Sequence, residues 1–344
     1  MVLVSTEKTI PEIPRFEPPK EMISVSQQNG KTKVRVNSSS VDVIQNCLRK
    51  AKYSLHERWI TQNEHPATLL GSSFHSALEV FYVGKREERK LPKLETMELM
   101  SYGHKVPNEE TDLCLRATRA FIKKAKPLEA LPETDKRSIQ NGVWLLHNYF
   151  NSYLADPYVA FVDEAGPFIE RKFSFVLRET ADLIIEVFGT IDFGFVDVNS
   201  GRIIPGDHKT TSFLGFGDSS YFDREKPNHQ YTLYAMGAHK VFGFEGDDFL
   251  VNIIEIKAKP KTAKAKGPSF PRQITTRTKE DFDEVTEVIT HVVDLYLQSI
   301  KTGVWPQGPV GACTAYGSCM YRQVCCSPKS LRENVLSAKF VRLG

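Results

Sequence analysis

Between residues 183 and 211 the chain reads as two strands joined by a tight turn. The first strand covers all or part of Leu183 to Val198, a run rich in β-branched and aromatic residues. Asn199-Ser200-Gly201 forms the turn, with Gly201 suited to positive φ, and the second strand runs from Arg202 to about Thr211. Side chains alternate along a strand, so Asp207 and Lys209 must share one face while His208 points to the other. The first strand adds Asp192, within Gly189-Thr190-Ile191-Asp192, and the second reads Gly206-Asp207-His208-Lys209-Thr210. A buried carboxylate is costly unless it pairs with a cation or ligates a metal. Two carboxylates can hold one or two Mg²⁺ or Mn²⁺ ions, which prefer oxygen ligands and keep several waters, and a lysine beside them can orient the attacking water. The same three charges also suit an ordinary solvated hairpin, so the remainder of the chain has to decide.

Composition excludes several classes. At 344 residues, with 41% hydrophobic and 25% charged residues, the chain is an ordinary globular protein with room for one large domain or two smaller ones. A net charge of +3 is only mildly basic, so any nucleic-acid contact must come from a local patch. No run approaches the roughly 18 apolar residues of a membrane span, and the start, Met1 to Pro14, lacks the basic-then-apolar pattern of a signal peptide. A cytoplasmic chain without a membrane partner is expected. Disulfides are rare in that compartment, so the six cysteines need another reading.

Residues 1–36 are expected to be extended or mobile, because Pro11, Pro14, Pro18 and Pro19 forbid a regular element. Residues 37–326 read as a single domain, with a helical part at 37–160, a core at 161–304 and a cysteine-rich loop at 305–326. A polar tail at 327–344 follows. Apolar periodicity predicts helices over about 41–59 (with Cys47 inside), 71–82, 110–126, 134–155, 228–242 and 279–302, and strands over 168–175, 249–256 and 272–276. Helices first, then strands interleaved with helices, imply a mixed α/β (α+β) fold with a central mixed sheet flanked by helices.

Four short motifs occur in order: Gly71-Ser72-Ser73-Phe74-His75, Gly189-Thr190-Ile191-Asp192, Asp207-His208-Lys209-Thr210, and Gln230-Tyr231-Thr232-Leu233-Tyr234. As an ordered set they resemble the PD-(D/E)XK nuclease superfamily with its restriction-endonuclease-like core, and in particular the RecB-type branch that includes CRISPR-associated iron–sulfur exonucleases and many phage proteins. The position usually held by Glu is His208 here. The resemblance implies that Asp192 and Asp207 are the principal metal ligands, that His75 is an additional ligand biasing the site toward Mn²⁺, and that Lys209 is the catalytic lysine. It also implies that Gln230 and Tyr234, four apart on one helix face, orient substrate or the metal site. By itself His75 also reads as a core histidine, and Gln230 and Tyr234 as packing residues. Glu170 precedes the hairpin by one strand and either supports the site or pairs with Arg171 or Lys172.

Cys313, Cys319 and Cys325 are separated by five-residue gaps, with Tyr316-Gly317 allowing a tight loop. They read as three ligands of a metal or cluster that requires a fourth, for which Cys47 is the candidate. In the resembled branch one early and three late cysteines hold a 4Fe–4S cluster; zinc takes the same Cys₄ set. Cys326 is an alternative to Cys325, and Cys114 reads as core. Finally, Lys257, Lys259, Lys261, Lys264, Lys266 and Arg272 fall in a loop without acidic residues, which reads either as a phosphate-binding patch, with Phe270 stacking on a base, or as a solvated loop. The resemblance implies a metal-dependent exonuclease acting on DNA ends or single strands in recombination, repair or phage replication. A structure-specific endonuclease and a non-catalytic DNA-binding subunit are the alternatives. No G-x-x-x-x-G-K-[ST] is present, so a helicase or recombination partner would be a separate chain.

Overall fold

A computed structural model describes residues 22–61, 64–87, 113–212, 222, 227–260, 267–314 and 318–343. Its strands are β1 (Ile23–Gln28), β2 (Lys31–Val36), β3 (Trp59–Thr61), β4 (Tyr158–Ala160), the short β5 (Val162–Asp163) and β6 (Gly166–Pro167), β7 (Ile169–Glu179), β8 (Leu183–Asp197), β9 (Ile203–Thr211), β10 (Asp248–Glu255), β11 (Arg272–Thr276) and β12 (Phe340–Arg342). Among the described residues the main sheet has eight strands, in the order β1-β2-β8-β9-β10-β11, with β4 and β7 also paired to β8. It is mixed: β2 runs parallel to β8 and β10 parallel to β9, while the other pairs are antiparallel.

β8 is the organising strand. One edge takes β7 along Ile184 to Phe193 and then β4 along Phe195 to Asp197. The other takes β2 along Leu183 to Val187 and β9 along Phe193 to Val196. The β8–β9 hairpin turns at Gly201, whose φ of +74° only glycine adopts freely. Pairing with β8 ends at Phe193↔Gly206, after which β9 leaves β8 and continues beside β10, from Leu250↔Gly206 to Glu255↔Thr211. Asp192 and Asp207 therefore flank a fork in the sheet.

Helices cover both sides. α3 (Pro66–Glu87), α4 (Leu113–Ala125) and α5 (Ile139–Tyr153) share a core that includes Phe74, Leu78, Phe121, Phe150, Phe193 and Phe195. The helices α1 (Ser38–Asn46), α6 (His229–Phe242) and α7 (Lys279–Thr302) share another, with Ile44, Ile191, Leu233, Met236, Ile289 and Val293. Among the described residues no helix is long and apolar enough to cross a membrane.

Three expectations need correction. The helix expected over 41–59 breaks at Cys47, which is extended at φ −164° and ψ 104°; the chain resumes as α2 (Leu48–Ala51) and a π turn (Lys52–His56) before β3. From Ile23 the leading segment is a hairpin, β1–β2, because Val34 and Val36 have apolar side chains to bury; residues 1–21 lie outside the described residues. The polar tail is structured: α8 (Arg322–Cys326) leads to α9 (Arg332–Lys339), and β12 pairs with β3 from Phe340↔Thr61 to Arg342↔Trp59. Leu336 and Phe340 supply the apolar area, in a small core with Tyr53, Trp59, Tyr321 and Val324.

Glu186 of β8 fastens the added hairpin. It accepts from Arg35 at 2.7 Å and from Ser174 of β7 at 2.6 Å, and it lies 2.5 Å from the Lys33 ammonium. Burial opposes its charge, but the hydrogen bonds from Lys33, Ser174 and Arg35 outweigh this and hold its pKa down at about 2. A folded-state pKa below the unfolded value of roughly 4.3 contributes stability above that value, which is lost as pH falls through about 2. Glu186→Gln is expected to lower Tm at pH 7 by about 2 °C, on the order of 1 kcal/mol. The difference from wild type should vanish as pH approaches 2, as read by thermal denaturation across pH.

Candidate active site

β9 carries Asp207 and Lys209 on the face covered by α6, and His208 on the face covered by α3 and α5. Parallel register places Val251 beside Asp207 and Asn252 beside His208, so the alternation extends into β10. The Lys209 ammonium sits 2.6 Å from Asp207 Oδ2 and 6.0 Å from the ring centroid of Tyr231 on α6. Where β9 has left β8, the freed main-chain N–H of His208 donates to Asp192 Oδ2 at 2.8 Å. The sheet fork is thus closed by a side chain in place of a ladder bond.

α3 supplies His75. Its Nε2 lies 2.9 Å from the carbonyl oxygen of His208. A carbonyl only accepts, so Nε2 carries the hydrogen and Nδ1 faces the acidic groups, at 3.4 Å from Asp192 Oδ2 and 3.6 Å from Glu170 Oε1. Gly71 permits this approach: a Cβ there would lie 3.2 Å from Thr210 Oγ1. Glu170 sits at the start of β7 with φ +48°, a left-handed conformation unusual for a residue with a Cβ, and its side chain is 48% exposed. It does not pair with Arg171, which instead reaches Asp163 at 2.5 Å. Among the described residues His75, Glu170 and Asp192 are the group whose ligand atoms all fall within 4.8 Å of one another.

The electrostatics are those of a site short of positive charge. Burial, and then the neighbouring Asp192 charge, push Asp207 up to about 7 against the pull of Lys209 and His75. Burial likewise raises Asp192. His75 resists its own burial because Asp192, a hydrogen bond with Glu170, and Asp207 hold the imidazolium up to about 9. Partial burial of Lys209, whose side chain is 30% exposed, opposes its charge, yet Asp207 and Asp192 lift it above the ordinary lysine range, so its ammonium stays protonated. Among the described residues the buried Asp207 Oδ2 faces the Lys209 ammonium at 2.6 Å, and no further donor meets it. A buried carboxylate oxygen met by a single ammonium, beside a second carboxylate and an imidazole nitrogen, suits a divalent cation with oxygen and nitrogen ligands.

α6 brings Gln230 and Tyr234 to the same place. Gln230 hydrogen-bonds Tyr234, and burial followed by the Asp207 charge raises the Tyr234 phenol. The helix can come this close because Gly189 and Gly237 leave room for the Phe173 ring between them. A Cβ on Gly189 would lie 2.7 Å from that ring and 3.1 Å from Tyr234, and one on Gly237 would lie 2.7 Å from it.

Of the basic loop, Lys261, Lys264 and Lys266 lie outside the described residues. Lys259 is exposed, and Lys257 turns back to the carbonyl of Gly267 at 3.2 Å. Arg272 is not a phosphate contact: its side chain is 10% exposed, it pairs with Asp156, stacks 3.4 Å from the Tyr153 centroid and donates to Asn252 at 2.9 Å. Phe270 is buried in the core rather than free to stack on a base.

Three of the cysteines, Cys47, Cys319 and Cys325, interact with one another where α1 gives way to α2. Cys47 Sγ accepts from the main-chain N–H groups of Lys50 at 3.4 Å and Gly308 at 3.2 Å. Gly308 is required, since a Cβ would collide with Asn46 O and lie 2.9 Å from Cys47 Cβ. Burial raises the Cys325 thiol, and Cys47 and Cys319 are near enough to raise it further. Cys319 donates its N–H to Cys313 O at 2.9 Å. Cys326 is exposed, and Cys114 is buried in α4. Gly308 escaped sequence reasoning. So did Asn252, although a polar residue in an otherwise apolar strand was a usable signal.

Fold and site define a class: a mixed-sheet α/β protein with carboxylates, a histidine and a lysine gathered at a fork in its sheet. The PD-(D/E)XK nuclease superfamily matches residues 35–326. Among solved structures, a "putative exonuclease" from Eubacterium rectale is similar over 87% of this chain and 91% of its own, at 14% identity and a TM-score of 0.38. No curated protein matches. The chain belongs to the PD-(D/E)XK nuclease superfamily, and it is a nuclease.

Gly189→Ala would force Phe173 and Tyr234 aside. It is expected to cost about 1–3 kcal/mol in thermal or urea denaturation and to slow hydrolysis, because Tyr234 leaves Lys209. Unchanged values for both would show that the α6 approach is not constrained there.

Proposed function

We propose that the protein is a divalent-metal-dependent deoxyribonuclease acting as an exonuclease on DNA ends or single strands, in recombination, repair or phage replication. The observation that carries the reading is the buried Asp207 carboxylate, met by the Lys209 ammonium alone, set beside Asp192 and His75. Asp192, Asp207 and His75 Nδ1 would hold Mg²⁺ or Mn²⁺, with Glu170 within reach as a further oxygen ligand. Bound there, the ion would lower the pKa of a water and stabilise charge on the phosphodiester.

The chain's own residues do the rest. Lys209, protonated and fixed against Asp207, orients the attacking water or neutralises a phosphate oxygen; its raised pKa makes it a poor general base. Gln230 and Tyr234 pack beside it and restrict its approach. The His208 main chain holds Asp192 through its N–H and His75 through its carbonyl.

The expected assay result is hydrolysis of end-labelled linear DNA with Mn²⁺ or Mg²⁺, abolished by chelation and restored by metal. Asp207→Asn and Lys209→Met should each lower the rate by about a hundredfold or more. Degradation unaffected by Asp207→Asn would overturn the assignment. Cleavage of circular single strands would move it to an endonuclease. An unwinding or recombination partner would act as a separate chain.

The cysteines support a second component. Cys47, Cys313, Cys319 and Cys325 would hold a 4Fe–4S cluster that ties the α1–α2 break to the C-terminal loop. Main-chain N–H groups aimed at Cys47 Sγ suit a thiolate ligand. Among the described residues no three cysteine sulfurs lie within 4.8 Å of one another. Purified protein should be brown, with broad absorption in the blue that Cys313→Ala removes; colourless protein with stoichiometric zinc would refute the cluster.

A further inference from the structure

Behind the catalytic face lies a buried polar network that none of the chemistry above uses. Asn252 of β10 is fully buried beside His208. Its Oδ1 accepts from Arg272 Nε at 2.9 Å, and its Nδ2 donates to Tyr149 OH at 2.9 Å and lies 2.7 Å from His208 Nδ1. Arg272 Nη2 reaches the hydroxyls of Tyr82 and Tyr149, which bond each other at 2.6 Å. Its other branch pairs with Asp156, and Lys85 closes on the same carboxylate.

The donor inventory orients every member. A guanidinium only donates, so the Asn252 group facing Arg272 is its oxygen. The Asn252 amide nitrogen must then face His208 and donate to Nδ1. His208 is therefore the neutral Nε2–H tautomer, held by one amide hydrogen while the other goes to Tyr149. The same residue commits both of its main-chain groups to the site, the N–H to Asp192 Oδ2 and the C=O to His75 Nε2. The chain of bonds thus runs from a buried ion pair, through Arg272 and Asn252, to the residue whose main chain aims two proposed metal ligands.

We propose that Asn252, oriented by Arg272, is a positioning residue for metal binding: through the His208 side chain it fixes the main-chain N–H and C=O of His208 that set Asp192 and His75. The inference rests on the metal-site reading above. Groups that orient metal ligands commonly change affinity by 10–100-fold when removed.

The test is the Mn²⁺ dissociation constant of the full-length protein, titrated by electron paramagnetic resonance, for wild type, Asn252→Leu and Asp192→Ala. Asp192→Ala should abolish tight binding; if it does not, the metal-site reading itself fails. With that control in place, Asn252→Leu should weaken binding by about tenfold or more while keeping the wild-type circular dichroism. A folded Asn252→Leu protein with unchanged Mn²⁺ affinity would overturn the positioning role and leave a merely structural network. Should Asn252→Leu not fold, the wild-type protein still decides. Its long-range proton–nitrogen spectrum should show His208 with an unprotonated, hydrogen-bonded Nδ1 and a protonated Nε2. A His208 protonated at Nδ1 would overturn the inference.

Discussion

The hydrogen bond from the His208 main-chain N–H to Asp192 closes the place where β9 parts from β8. A strand that leaves its neighbour exposes main-chain donors in the interior, and such donors must be met. Here the partner is a carboxylate, so the solution to a folding problem also anchors a proposed metal ligand. His75 takes the carbonyl on the same residue. The site is held together by the main-chain groups of one residue at a fork.

Charge balance follows from that geometry. Asp192 and Asp207 are buried side by side, and Lys209 and His75 lean toward them; the raised pKa values of Asp207 and His75 register the same deficit of positive charge from two sides. The protein tolerates this because the face behind is rigid. Phe193 and Phe195 stack at 3.9 Å, and the Asn252–Arg272 network is buried and densely bonded. Buried polar groups that satisfy one another hold a single arrangement, whereas a half-met network would loosen the site.

Much of this was legible in the chain itself. The 183–211 hairpin, its Gly201 turn and the shared face of Asp207 and Lys209 follow from strand alternation and turn chemistry, which act over a few residues. The helices over 228–242 and 279–302 are there because apolar spacing alone specifies an amphipathic helix. Sequence reasoning failed where the cause was distant. The helix read through Cys47 breaks because residues 305–308 dock against it: Arg49 N–H bonds Pro306 O at 2.9 Å, and Gly308 covers the thiol. Arg272 resembled a phosphate-binding cation because it follows five lysines, but strand pairing with Asn252 turns it inward.

By itself the sequence determined the inventory and the local order: which acid and lysine lie on one strand face, where Gly201 turns the hairpin, and which family the ordered motifs belong to. Those properties depend on residues a few positions apart, and backbone stereochemistry settles them. Only the tertiary structure decided that Glu170 stands beside His75, that Asn252 holds the residue between Asp207 and Lys209, and that the C-terminal strand returns to β3. Such contacts join residues separated by tens to hundreds of positions. They form because burying apolar side chains outweighs the entropy of closing those loops, a balance that no local pattern records.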